Sequence, residues 1–110
     1  MATRELFSVD TDGEPIRVAA TATTGTAIHA NADAVRDEVY AWATNVQATS
    51  EKLSFTVGGT AAADLVTVTI PATSTVQIID GLRLGSAGQI RAWSPNTLQI
   101  RITGYYNRLV

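Results

Sequence analysis

The sequence predicts an all-β fold: an antiparallel β-sandwich or small barrel, jelly-roll-like, with about seven or eight strands and an extended N-terminal arm. Three observations predict it. Short apolar segments alternating at period two recur roughly every ten residues, with Gly, Pro, Asn and Asp between them. Ala and Thr together fill 33 of the 110 positions while Lys occurs once and charged residues make up 16% of the chain, a composition suited to weakly charged pleated surface. No apolar stripe of helical period extends beyond two turns.

Residues 1–14 are read as the arm and residues 15–110 as a single domain. Leu6, Phe7 and Val9 form a short apolar patch without a local alternating partner, followed by the acidic stretch Asp10 to Glu14 and Pro15. Asp12-Gly13 suits a turn, because Gly tolerates positive φ and Asp can bond its own backbone. Two readings of this segment stand side by side: an arm that docks on a neighbour by strand addition, or the first strand of the same sandwich.

From Ile16 the pattern turns to β, with Ile16, Val18 and Ala20 alternating, before Thr24-Gly25 breaks the run ahead of Ala27 to Ala30. Residues 33–40 admit a helical turn capped by Asp33, but Tyr40, Trp42 and Thr44 share one face at period two, so a strand over about 37–46 is the better reading. Whether Tyr40 and Trp42 or Val39 and Ala41 face the core is open. Leu53, Phe55 and Val57 mark the next strand, closed by Gly58-Gly59, and Val66, Val68 and Ile70 another, closed by Pro71, which has no N–H to give a ladder. Val76, Ile78 and Ile79 lead to an Asp80-Gly81 turn; Leu82 and Leu84 precede a turn region at 85–88. Ile90 and Ala92 come before a turn at 94–96, and Leu98, Ile100 and Ile102 alternate through the last strand. The predicted core is Ile16, Val18, Val39, Ala41, Leu53, Phe55, Val57, Val66, Val68, Ile70, Ile78, Ile90, Leu98, Ile100 and Ile102.

The chemistry is sparse. A net charge of -2 lacks the basic excess that phosphate neutralisation needs, so direct nucleic-acid binding is not expected. Without cysteine there is no disulfide or thiolate site, and no apolar run is long enough for a membrane span. The chain reads as soluble and made in the cytoplasm. His29 is the single base for any triad, and between Ile28 and Ala30 it reads as a half-exposed strand residue. Asp33, Asp37 and Glu38 read as a solvated loop rather than a cation site or carboxylate pair. Asp10 to Glu14 fails the register of a calcium loop, and Gly58-Gly59 lacks the Lys of a phosphate loop. No catalytic residue, cofactor or metal is assigned, and an enzyme ranks last. The adjacent Tyr105 and Tyr106 must point to opposite faces of a strand.

Across residues 27–110 the order of elements resembles the small β-rich virion proteins of tailed bacteriophages known as decoration, cement or head-fibre proteins. The segments that carry the likeness are Thr26 to His29, Asp37 to Asn45, Lys52 to Gly59, Val68 to Ala72 and Ile102 to Arg108. The resemblance implies a non-enzymatic protein on the capsid exterior, bound to the major capsid protein, often as a homotrimer that clamps neighbouring capsomers. The interface candidates are Leu6, Phe7, Val9, Trp42, Trp93, Tyr105, Tyr106, Arg108 and Leu109, with Arg108 expected to anchor a carboxylate on a neighbour. A phage neck or tail component shares this fold. A carbohydrate- or receptor-binding module would instead use Trp42, Trp93 and Tyr106 as stacking surfaces.

Overall fold

In a computed structural model, residues 2–5, 7, 15–18, 25–31, 36–58, 65–85, 88–95 and 99–109 are described. They form nine strands and no helix: β1 (Ala2–Glu5), β2 (Ile16–Arg17), β3 (Thr26–Ala30), β4 (Arg36–Asn45), β5 (Glu51–Gly58), β6 (Leu65–Ile70), β7 (Thr75–Leu84), β8 (Gln89–Trp93) and β9 (Ile100–Leu109). All pairings are antiparallel. One sheet runs β1-β9-β4-β7, with β2 also on β9; the other runs β3-β8-β5-β6. Buried residues from both sheets make a single core.

The centre of the first sheet is β4, bonded to β9 along its whole length and to β7 on the other side. Its alternation is strict: Asp37, Val39, Ala41, Ala43 and Asn45 are buried, and Glu38, Tyr40, Trp42 and Thr44 lie on the outer face. This settles which face turns inward and removes the helical alternative from residue 36 onward. Ala41 stands opposite Gly104 on β9, and a Cβ on Gly104 would run into the Tyr40 carbonyl and the Phe7 ring. The small residues here let Phe7 lie close against the sheet.

Phe7, at 1% exposure, is a core residue. Residues 2–5 pair with β9 in the register Ala2 to Leu109 through Glu5 to Tyr106. Of the two readings of the N-terminal segment, its described residues follow the second and pair within the sheet. The physical reason is local: Gly104 leaves a site that an aromatic ring fills, and burial of a Phe side chain is worth roughly 1.5–3 kcal/mol. Leu6, Val9 and the rest of residues 8–14 lie outside the described residues.

In β3 and β7 the departures from strict alternation come from β-bulges. In β3 the register with β8 shifts between Ala27 and His29, so Ile28 and His29 are both buried; an extra residue on one strand reverses the facing of the residues after it. In β7 the ladder to β4 shifts twice, skipping Ile78 and Gly81. Gly81, with φ of 76°, is therefore a bulge inside one ten-residue strand and not a hairpin turn. Ile79 is buried, where alternation had selected Ile78. Val66, expected in the core, is 46% exposed because β6 is an edge strand.

Two buried asparagines anchor the connections. Asn45 Nδ2 donates to the Thr49 and Ile70 carbonyls, and its Oδ1 accepts from the Gln47 N–H. Asn31 Nδ2 donates to the Leu84 and Gly85 carbonyls. Each satisfies backbone groups that a crossing between the sheets would leave unpaired.

Candidate functional site

The outer face of the β9-β4-β7 sheet gathers chemistry that the sequence scatters. Register places Glu38, Tyr40, Trp42 and Thr44 of β4 opposite Asn107, Tyr105, Thr103 and Arg101 of β9. Tyr40 and Tyr105 stack with ring centroids 5.1 Å apart, and Trp42 lies 6.1 Å from Tyr105. Offset pairs at this spacing are favourable, so the three rings form a row along the middle of the sheet. At one end Glu38 Oε1 accepts from the Tyr40 hydroxyl at 2.8 Å and from Asn107 Nδ2; the carboxylate holds the Tyr40 proton, which raises that hydroxyl above its usual value. At the other end Arg101 faces Thr44 on one side and Arg17 of β2 on the other.

The inner face at the Glu38 end carries a polar cluster. Asp37 and Arg108 are cross-strand partners. Arg108 Nε donates to Asp37 Oδ1 at 3.0 Å and Nη2 to Oδ2 at 3.2 Å, with Asp37 fully buried. From the opposite sheet His29 Nε2 meets Asp37 Oδ2 at 2.8 Å. Burial is the main influence on His29 and lowers its pKa, with the Asp37 hydrogen bond opposing it. Arg108 already supplies the cation for Asp37, so the neutral imidazole carrying its proton on Nε2 fits these contacts. Tyr106 packs against His29 in a tilted arrangement with ring centroids 4.2 Å apart, Phe7 lies 5.7 Å from it, and the Arg108 guanidinium is 5.2 Å over the Tyr106 ring. Enclosed this way, the cluster is a cross-sheet fastening.

These positions correct several expectations. His29 is not half-exposed and Asp37 is not in a solvated loop; the β3 bulge turns the first inward, and strand parity does so for the second. Arg108 reaches the carboxylate of Asp37 in its own chain. Tyr106 belongs to the core, and Trp93 lies on β8 in the other sheet, half-buried against the core, so Trp42, Trp93 and Tyr106 share no platform. Tyr105 and Tyr106 do take opposite faces. Leu109 pairs through its backbone with Ala2 and Arg36; its side chain, like Leu98 and Asp33, lies outside the described residues. Sequence reading missed Tyr40 as a site residue, although its period-two relation to Trp42 was the signal.

A third feature is an open groove of about 530 Å³ between the edge strands β6 and β7, lined by Phe55, Val57, Val66, Ile78, Ile79 and Leu82, with Asp80 at its rim. Among the described residues no group of three or more His, Cys, Asp or Glu side chains could hold a metal, and no helix is long and apolar enough to cross a membrane. Comparison with protein-family models, with curated proteins and with solved structures finds no match.

Proposed function

We propose that this chain is a structural protein of a tailed-bacteriophage virion that binds the outer capsid surface and joins neighbouring capsomers, acting as a trimer without catalysis. The observation that carries this reading is the groove between β6 and β7. Both flanking strands are sheet edges, so each offers a row of open backbone donors and acceptors beside an apolar floor, the chemistry that a strand of another chain completes. Val66, large, apolar and 46% exposed, stands on one lip. We assign the groove to a neighbouring copy of this chain, because a repeated edge contact of low charge suits a closed ring of identical subunits.

The strand order supports the finer fold. With β1 and β2 taken as one interrupted first strand, the two sheets have the order that results when four hairpin-like strand pairs wrap into a jelly roll, an architecture found in viral capsid and lectin domains. That link is fold-level analogy and lends weight only to the class of function.

Native mass measurement and sedimentation with purified capsids test the reading together. The wild-type protein is expected to be a trimer that co-sediments with capsids, and Val66→Asp to be a folded monomer with lost attachment. A wild-type monomer that never binds capsids overturns it, as does a Val66→Asp trimer that binds normally. Several hundred copies per particle fit shell decoration, whereas six or twelve place the protein in the neck or tail instead.

A further inference from the structure

We propose that the outer face of the β9-β4-β7 sheet carries a binding site for an acidic sugar, whose carboxylate bridges Arg17 and Arg101 and whose ring lies against Trp42. Three observations carry it. First, Arg17 and Arg101 are directly opposed across β2 and β9, a like-charge pair that costs stability when left alone. Neither has an ion-pair partner among the described residues. At the far end of the row, by contrast, Glu38 faces Arg83 across β4 and β7 and the charges balance.

Second, Arg101 Nε is shut away from solvent with no hydrogen-bond partner among the described residues. A buried donor left unmade costs roughly 1–3 kcal/mol; no ligand reaches Nε itself, so a carboxylate would meet the terminal nitrogens of this half-buried side chain. One carboxylate supplies acceptors to two guanidinium groups at once, and planar forks suit it better than a point cation would.

Third, the distance to the rings is right for a single sugar residue. Arg101 and Thr103 occupy successive same-face positions, about 7 Å apart along the strand, and Trp42 faces Thr103. The indole is therefore diagonal to Arg101, at roughly 7–8 Å between backbones. A pyranose whose carboxylate rests on the arginines spans that gap and sets its C–H face on the indole. Further residues of a chain would continue over Tyr105 and Tyr40. An acidic peptide fits less well, because Trp42 sits on β4, which is paired on both sides by β9 and β7 and has no open backbone edge. The surface is distinct from the β6–β7 groove, so the proposal stands or falls apart from the capsid reading.

Trp93 is on the other sheet, so Trp93→Phe leaves Trp42 as sole reporter. In that background the emission of Trp42 is followed while oligogalacturonate, its methyl-esterified form and a poly-glutamate peptide are added at low salt. Saturable binding of oligogalacturonate is expected, with at least tenfold weaker binding of the ester and the peptide. Arg101→Gln and Arg17→Gln should each weaken binding tenfold or more, while their melting temperatures equal or exceed that of the parent because like charges are separated. No response to millimolar oligogalacturonate, equal binding of the ester or the peptide, or unchanged binding by folded Arg101→Gln overturns the assignment.

Discussion

Arg108→Met tests the cross-sheet fastening directly. It keeps the apolar stem and strips the charge, leaving the Asp37 carboxylate fully buried with His29 as its remaining side-chain partner. Removing one member of a buried ion pair costs about 3–5 kcal/mol, because the other charge loses its compensation. The Arg108 side chain is 25% exposed, so water reaches the pair and the lower end applies, about 3 kcal/mol. At roughly 2.1 cal/mol/K per residue the unfolding entropy of a 110-residue chain is about 230 cal/mol/K, so the melting temperature should fall by about 13 °C. Thermal and urea unfolding by circular dichroism measure this. A second readout uses the single histidine: Arg108 pushes the His29 pKa down, so its loss should raise that pKa in an NMR titration. Adding Asp37→Asn should restore part of the stability, since both charges are then gone. A fall of less than about 4 °C, with an unmoved His29 titration, would refute the reasoning that this cluster fastens the sheets.

The remaining predictions concern the same core. Because burial holds the folded His29 below its ordinary value near 6.5, the unfolded chain takes up the proton first. Its stability contribution is whole above that value and is lost as pH falls through the folded pKa. Urea midpoints from pH 7.5 down to pH 5 should therefore drop more steeply for the wild type than for His29→Gln, and parallel curves would count against it. Gly104→Ala should destabilise by about 3 kcal/mol, the upper range for overpacking, since the obstacles include backbone. Gly85→Ala, where a Cβ meets nothing within 4 Å, should stay within about 0.5 kcal/mol in the same urea assay. In hydrogen exchange, amides of 39–43 on β4 should be the slowest and those of 66–69 on the β6 edge much faster, because the former open only with the whole fold; equal rates would contradict that ranking.

Alternation and turn residues made the strands legible: β4, β5, β6 and β9 fall close to where period-two patterning puts them. Bulges were not legible. Asp80-Gly81 has the composition of a turn, and only the β4 partner reveals that Gly81 is an extra residue inside a strand. The same limit hid His29, whose burial depends on one residue inserted in β3. Asp37 shares parity with Val39 and Ala41, but which parity faced inward was open and charge argued for solvent; its partner Arg108 is 71 positions away, a separation that no local pattern spans. The aromatic row was half visible, since Tyr40 and Trp42 share parity, but Tyr105 joins them only through the β4–β9 register.

One strand carries both halves of this arrangement, and that has a physical consequence. Parity sends Asp37, Val39, Ala41, Ala43 and Asn45 inward, where an ion pair fixes one end of β4 and a satisfied asparagine the other. The outward residues Glu38, Tyr40, Trp42 and Thr44 therefore ride on the strand least able to move. Ordering side chains on binding costs about 0.5–1.5 kcal/mol for each one immobilised, and rings already stacked on a central strand have little of that cost left. The β6 edge is opposite in character: pairing there must come from backbone groups that solvent now satisfies. A rigid aromatic face suits recognition of a small rigid ligand, while an open edge suits association with another chain. The two surfaces thus differ in the kind of partner their mechanics favour as well as in their chemistry.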